Sequence, residues 1–191
     1  MLGRTTTSLF ALATCLTLSL VGLGTARADQ IFVRVQGQLT GVFSYWYNPV
    51  DELGGISLTE YGQVEDLAWS VSSPRDAASG LPTGKRQHKP LTLRVRMAGA
   101  TSLVAQALTA NQNLPSVRVL WFTRDDAASS YEQTRALVLT NANISNLSIY
   151  SAREQGELAT YAEFSMTYQQ IGIEDYEGGL SYSDSWESPT F

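Results

Sequence analysis

The sequence predicts a mainly β protein, either an antiparallel β-barrel or a sandwich, with one α-helix packed on it. Apolar and polar residues alternate along much of the chain after residue 30, as in strands that bury one face. Only residues 102–111 carry a helical pattern, so strands and helices do not alternate as they do around a parallel sheet. A hydrophobic content of 43% is sufficient for one packed core.

Three strands are predicted before the longest loop. Residues 31–35 alternate, and residues 42–47 form an aromatic-rich stretch that Asn48 and Pro49 interrupt. Residues 64–71 alternate again. The side chains of this third strand that we expect to point inward are Val64, Leu67, Trp69 and Val71.

A long polar loop separates this strand from the predicted helix. Residues 72–90 contain several Pro and Gly residues and are too numerous for a simple hairpin turn. Residues 91–97 then alternate as a half-buried strand. In the helix, Leu103, Ala107 and Leu108 are expected to share the buried face, with Val104 and Ala110 at its margin. Asn111 and Pro115 end it, because Asn tolerates the capping conformation and Pro cannot continue a helix.

The rest of the chain reads as antiparallel strands. Residues 117–123 form one, and residues 134–140 and 142–150 are interpreted as a single bent strand with a bulge in its Asn-rich middle. Residues 158–176 alternate over an unusual length, and Gly178 and Gly179 introduce a short tail. Because no linker divides residues 29–191, they are predicted to form one domain.

Residues 1–28 are predicted to be a secretory signal peptide. Arg4 is followed by an apolar run at residues 9–24, and Ala-Arg-Ala at residues 26–28 suits a signal peptidase. An uncleaved N-terminal anchor is the alternative. Cleavage would remove Cys15, the only cysteine, and leave 11 basic and 18 acidic side chains, a net charge of −7. The mature protein would then be secreted or periplasmic, without disulfides and without stable membrane insertion.

Composition excludes several kinds of function. An acidic chain lacks the basic footprint of a nucleic-acid binder. His88 is the only histidine, so neither a metal site nor a cofactor is predicted. A catalytic triad could only combine His88 and Asp76 with Ser73 or Ser79, and no nucleophile-elbow sequence is present to fix their geometry. The sequence therefore predicts that the protein is not an enzyme.

Two charged groups remain to be interpreted. The acidic pairs at residues 125–126, 174–175 and 184 with 187 are expected to form solvated surface. The basic cluster of Lys85, Arg86, His88 and Lys89 has two readings. It is either a solvated loop or a positive patch that meets an acidic patch on another copy. Spacing alone leaves both open.

Five segments resemble one known family. The longest, residues 71–95 (VSSPRDAASGLPTGKRQHKPLTLRV), contains the basic cluster. The others, in chain order, are residues 106–114 (QALTANQNL), 139–145 (LTNANIS), 164–171 (FSMTYQQI), and Gly178-Gly179 with residues 184–187 (DSWE). Together they resemble the haemolysin-coregulated protein (Hcp) family, the inner-tube subunits of type VI secretion systems.

The resemblance implies a barrel of two antiparallel sheets with one flanking helix and a long extended loop. It also implies homohexameric rings that stack into a tube, without catalytic residues or cofactors. The loop would be an arm that reaches a neighbouring subunit or ring. Its expected interface residues are Arg75, Asp76, Lys85, Arg86, His88 and Lys89. Expected partners are other copies of this chain and the spike, sheath and effector proteins of the apparatus.

The chain departs from the family pattern in three places. Tube subunits ordinarily carry no secretory signal, because they assemble in the cytoplasm. Residues 173–176 replace a Trp-rich strand end, Gln170 stands where Lys is usual, and residues 45–61 are longer and more aromatic. Two hypotheses follow. One is a structural tube subunit that is exported as tube or effector carrier. If residues 1–28 are not a signal peptide, this subunit is cytoplasmic until the secretion apparatus expels the tube. The other is a Sec-exported relative, acting in the periplasm or outside as filament subunit, effector or carrier.

Overall fold

The computed structural model describes residues 29–125, 128–154 and 156–185. The predicted signal peptide, residues 1–28, lies outside this part of the chain. The described elements are twelve strands and one helix: β1 (Gln30–Gly37), β2 (Gly41–Val42), β3 (Glu52–Leu53), β4 (Ile56–Ser57), β5 (Gly62–Ala68), β6 (Val71–Ser72), β7 (Gln87–His88), β8 (Leu91–Arg96), α1 (Ala100–Thr109), β9 (Leu114–Asp125), β10 (Ser130–Glu154), β11 (Glu157–Asp175) and β12 (Leu180–Ser185).

The main strands close on themselves. Neighbouring strands pair in the order β10-β9-β1-β5-β8-β11, and β11 pairs again with β10. Every one of these pairs is antiparallel. β2 is added to β1 and β12 to β11, while β3 with β4 and β6 with β7 form separate two-stranded sheets. The predicted mainly β, antiparallel fold with one helix is therefore confirmed.

Two apolar clusters stabilise this architecture. The larger one contains residues from all six strands of the closed sheet, including Val33, Val95 and Phe164. The smaller one lies around Phe32 and Phe122, whose rings meet edge to face with centroids 5.8 Å apart. Phe32 and Val33 are neighbours in β1 and belong to different clusters. Because successive residues of a strand point to opposite faces, β1 contributes to the core on both of its faces. Its second face is covered by the segment that carries β3 and β4.

The helix begins two residues earlier than predicted, and its buried face includes the predicted Ala107 but is centred on other residues. Its buried residues are Ala100, Thr101, Val104 and Ala107, whereas Leu103 and Leu108 are only partly buried. The predicted C-terminal cap is confirmed. Asn111 has a φ of 46°, and the Gln112 N–H donates to the Ala107 carbonyl at 2.8 Å. This is the hydrogen bond of a Schellman motif, which ends the helix.

The prediction of a strand at residues 42–47 was wrong. Only Gly41–Val42 pairs with β1, and Tyr45 has a φ of 65°, which interrupts an extended backbone. Two of its aromatic residues, Phe43 and Trp46, pack into the core instead, whereas Tyr45 is 80% exposed. The Trp46 ring is stacked between Phe43 and Phe164, with centroid distances of 6.4 and 6.3 Å.

The later strands follow the predicted pattern more closely. β10 is a single strand of 25 residues, with an irregularity between Ile144 and Asn146, as the Asn-rich middle predicted. β12 was missed, because residues 180–185 were assigned to a tail. In β5, a register shift between Val64 and Asp66 breaks the alternation. Val64 is buried and Leu67 and Trp69 are partly buried, as predicted, but Val71 belongs to β6 and is 37% exposed.

Candidate assembly arm and its polar anchor

Residues 73–89, here called the arm, leave and rejoin the barrel beside each other. At the base of the arm, β6 and β7 pair through Val71 with His88 and Ser72 with Gln87. The Lys89 N–H also donates to the Ser70 carbonyl at 2.9 Å. The two ends of the arm are therefore held together by a short antiparallel ladder.

The tip of the arm is folded around Asp76. Its Oδ1 accepts hydrogen bonds from the Ser79 N–H at 2.7 Å, the Ser79 hydroxyl at 2.8 Å and the Ala78 N–H at 3.1 Å. These bonds, first of all the Ser79 hydroxyl, hold the pKa of Asp76 below its usual value. Arg75 donates to the Gly80 carbonyl across the same turn. The tip is thus a preformed polar turn.

The base of the arm is attached to the barrel by a cluster of polar side chains. His88, 5% exposed, lies 3.2 Å through Nδ1 from the Tyr168 hydroxyl and 3.1 Å through Nε2 from Asp184 Oδ2. Arg86 donates to the other oxygen of Asp184 at 2.8 Å. We call this cluster the polar anchor: Trp69, Arg86, His88, Tyr168, Tyr182 and Asp184.

Hydrogen bonds connect the members of the polar anchor. The Trp69 indole N–H donates to the Tyr168 oxygen, and the Tyr168 hydroxyl lies beside both His88 Nδ1 and the Lys89 carbonyl. His88 Nε2 shares a hydrogen bond with Asp184 Oδ2. The Tyr182 hydroxyl donates to the same carboxylate oxygen at 3.0 Å. Burial first of all raises the pKa of Tyr168 and of Tyr182, so both phenols stay protonated at neutral pH.

Asp184 was predicted to lie in solvated acidic surface, and this was wrong. It is 7% exposed, and it shares a face of β12 with Tyr182, whose hydroxyl donates to its carboxylate. The other described members of the acidic pairs, at residues 125, 174 and 175, are half-buried. Residues 126 and 187 lie outside the described part of the chain. The missed signal was the alternation at residues 180–185.

The six predicted arm residues divide into two groups. Arg75, Asp76, Lys85 and Lys89 are exposed. Arg86 and His88 instead contact Asp184 of the same chain. The expectation that the whole loop lies on the surface therefore fails at its base, because a buried carboxylate there requires donors.

His88 lies in a different hydrogen-bonded group from Asp76 and Ser79, with which it was considered as a candidate triad. The hydrogen bonds of His88 go to Tyr168 and Asp184, and Ser79 bonds to Asp76 at the tip. Within residues 29–125, 128–154 and 156–185, no three His, Cys, Asp or Glu side chains are grouped to hold a metal ion. In the same part of the chain, no helix is both long and apolar enough to cross a membrane.

A second candidate interface is an open edge of the sheet. The pairing of β10 with β9 stops at Ala142 and Leu114, whereas its pairing with β11 continues to Glu154. Residues 142–152 contain no charged residue, proline or glycine. Ile149 and Tyr150, which lie on this stretch, are 51% and 37% exposed. Natural edge strands usually carry charges or proline that block pairing, so this edge is suited to contact another strand.

Known proteins agree with this fold. The family model described as "Type VI secretion system effector, Hcp" matches residues 59–174. The "Major exported protein" of Pseudomonas aeruginosa is 32% identical over 130 residues, which cover 66% of this chain and 75% of the relative.

Solved structures show the same fold. A crystal structure of an Hcp protein superposes with a TM-score of 0.73 and 26% identity, covering 83% of this chain and 100% of the other. The secreted protein Hcp3 of Pseudomonas aeruginosa gives a TM-score of 0.67 at 22% identity, covering 84% and 100%. The family resemblance identified in the sequence is thereby confirmed, and the chain belongs to the Hcp family of type VI secretion proteins.

Proposed function

We propose that the protein is a non-enzymatic tube subunit that assembles into stacked homohexameric rings. The observation that carries this proposal is the uncharged, unpaired edge of β10, in a chain of a secretion family. Among the described strands, β12 pairs with β11 alone, which leaves a second open edge, with Leu180 71% exposed. Contact between two different edges is heterologous, and such contacts close into rings when the rotation between copies allows it.

The arm is proposed to contribute a second contact between copies. Its exposed positive charges are complementary to the excess of acidic side chains on the rest of another copy of the chain. These charges belong to Arg75, Lys85 and Lys89. Opposite charges favour association and fix the orientation of two copies more than they add affinity. Within a closed ring, many weak arm contacts would act together. Spike, sheath and effector proteins remain proposed partners.

The edge contact is tested by adding one charge to it. Ile149→Lys places an ammonium group on the exposed β10 edge, and we expect it to abolish rings that wild-type residues 29–191 form. Leu39→Lys is the matched control, since Leu39 is 78% exposed in the turn between β1 and β2. Electron microscopy and light scattering measure the assembly. A wild-type protein that stays monomeric, or an Ile149→Lys variant that forms rings like the control, would contradict the proposal.

Export is proposed on two grounds: the relative is named a major exported protein, and residues 1–28 have the pattern of a signal peptide. A Sec-exported protein that acts in the periplasm or outside as filament subunit, effector or carrier is the alternative role. Cell fractionation with N-terminal sequencing distinguishes Sec export from assembly in the cytoplasm. A chain that starts at residue 29 in the periplasm indicates Sec export. A full-length cytoplasmic chain indicates a subunit that assembles in the cytoplasm before the tube is expelled.

A further inference from the structure

Two contacts between the base of the arm and the rest of the chain converge on one carboxylate, that of Asp184. Asp184 belongs to β12, which follows β11 in the sheet, whereas Arg86 and His88 belong to the base of the arm. Arg86 and His88 each reach a different oxygen of Asp184, at 2.8 and 3.1 Å. Residues that are 96 and 98 positions apart in the chain are thus joined by two polar contacts.

The carboxylate of Asp184 is surrounded by hydrogen-bond donors in this site. Besides Arg86 and His88, its carboxylate accepts from the Tyr182 hydroxyl at 3.0 Å and the Ser185 N–H at 2.9 Å. The Arg86 guanidinium balances its charge. A buried carboxylate is stable only when donors and an opposite charge surround it, and each such charged hydrogen bond is stronger than a neutral one. The carboxylate therefore depends on the base of the arm, and the base depends on the carboxylate.

We propose that Asp184 is a positioning residue that fixes the direction in which the arm leaves the barrel. Through it, the C-terminal strand β12 controls whether the arm is presented to another copy. The contact of the arm with a second copy rests on the proposed function, but the attachment itself does not. Removing the charge of Asp184 leaves the Arg86 guanidinium without its partner carboxylate. The short β6–β7 ladder, with two residue pairs, and the contact between His88 and Tyr168 then hold the base of the arm.

The experiment is hydrogen–deuterium exchange on residues 29–191 carrying Asp184→Asn, which keeps the shape of the side chain and removes its charge. We expect the amides of residues 71, 72 and 87–89 to exchange at least about tenfold faster. The amides of β8 and β11 should keep their wild-type rates. Asp51→Asn is the matched control, because residue 51 is an exposed carboxylate just before β3.

Two variants at Arg86 test whether faster exchange reflects a general loss of folding. Arg86→Gln removes the positive charge that pairs with Asp184, at a side chain that is about one third exposed. Arg86→Lys restores that charge without the planar guanidinium group. Faster exchange at the arm base in Arg86→Gln, with partial recovery in Arg86→Lys, supports the proposal. Wild-type exchange at the base in Asp184→Asn, or equal acceleration in the barrel, overturns it. Exchange requires no assembly, so a wild-type protein without rings would contradict the tube function alone.

Discussion

Two irregular segments are attached to the same barrel by opposite chemistry. The segment before β3 is held by Trp46, whose ring is stacked between Phe43 and Phe164. The arm is held by the polar anchor, in which Arg86 and His88 contact Asp184. The first attachment is apolar and continuous with the main core, whereas the second is a set of directed hydrogen bonds.

The difference separates stability from presentation. Apolar contacts contribute in proportion to buried area and have little directional preference, so losing them lowers the free energy of unfolding of the whole barrel. Hydrogen bonds to a buried charge contribute less to net stability, but they require one geometry. A segment that only covers the core needs the former. A segment that must point toward a partner needs the latter.

The largest expected effect is on the apolar side of this comparison. Phe164→Ala removes a fully buried ring that contacts Trp46, and should lower the free energy of unfolding by about 3–5 kcal/mol. Chemical denaturation of residues 29–191 measures it. A loss below about 1 kcal/mol would show that the aromatic stack is not part of the cooperative core.

A smaller effect is expected where the backbone approaches the same stack. A Cβ at Gly62 would lie 2.8 Å from the Trp46 ring, so Gly62→Ala must displace that ring and should cost about 1–3 kcal/mol. Gly172→Ala is the control, because its Cβ would meet no atom closer than 3.9 Å. Equal midpoints of denaturation for the two variants would indicate that Trp46 can move without loss.

The smallest effect on stability is expected in the arm. Lys85→Glu combined with Lys89→Glu reverses two exposed charges, and should change the free energy of unfolding by less than about 0.5 kcal/mol. Assembly should nevertheless weaken, most strongly at low salt. Light scattering over a range of ionic strengths measures this. The neutral pair Lys85→Gln and Lys89→Gln should weaken assembly less, and unchanged assembly in both pairs would remove the arm charges from the interface.

Sequence patterns were reliable where one face of a strand is buried, and failed where tertiary contacts decide. The bulged β10 strand and the cap at Asn111 follow from local residue preferences, and both were predicted. The aromatic stretch at residues 42–47 also has strand propensity, yet Trp46 is packed into the core from an irregular backbone. Propensity does not distinguish a ring that suits a sheet from one that fills a gap.

The candidate site shows the same division. The loop, its basic residues and its family could be identified from the sequence, because they are contiguous along the chain. The burial of His88 could not, because its partners Tyr168 and Asp184 are 80 and 96 residues away. A lone histidine and an acidic residue near the C-terminus carry no sign of each other in one sequence.

The sequence by itself determined the mainly β class, the helix and the Hcp resemblance, since periodicity and contiguous motifs depend on neighbouring residues. Only the tertiary structure decided which charges of the arm face solvent and which are buried. The register of β12 on β11 sets this, because it places Asp184 opposite Ile171 and within reach of Arg86. Strand register depends on contacts between distant segments, and a one-residue slip would turn Asp184 to the other face.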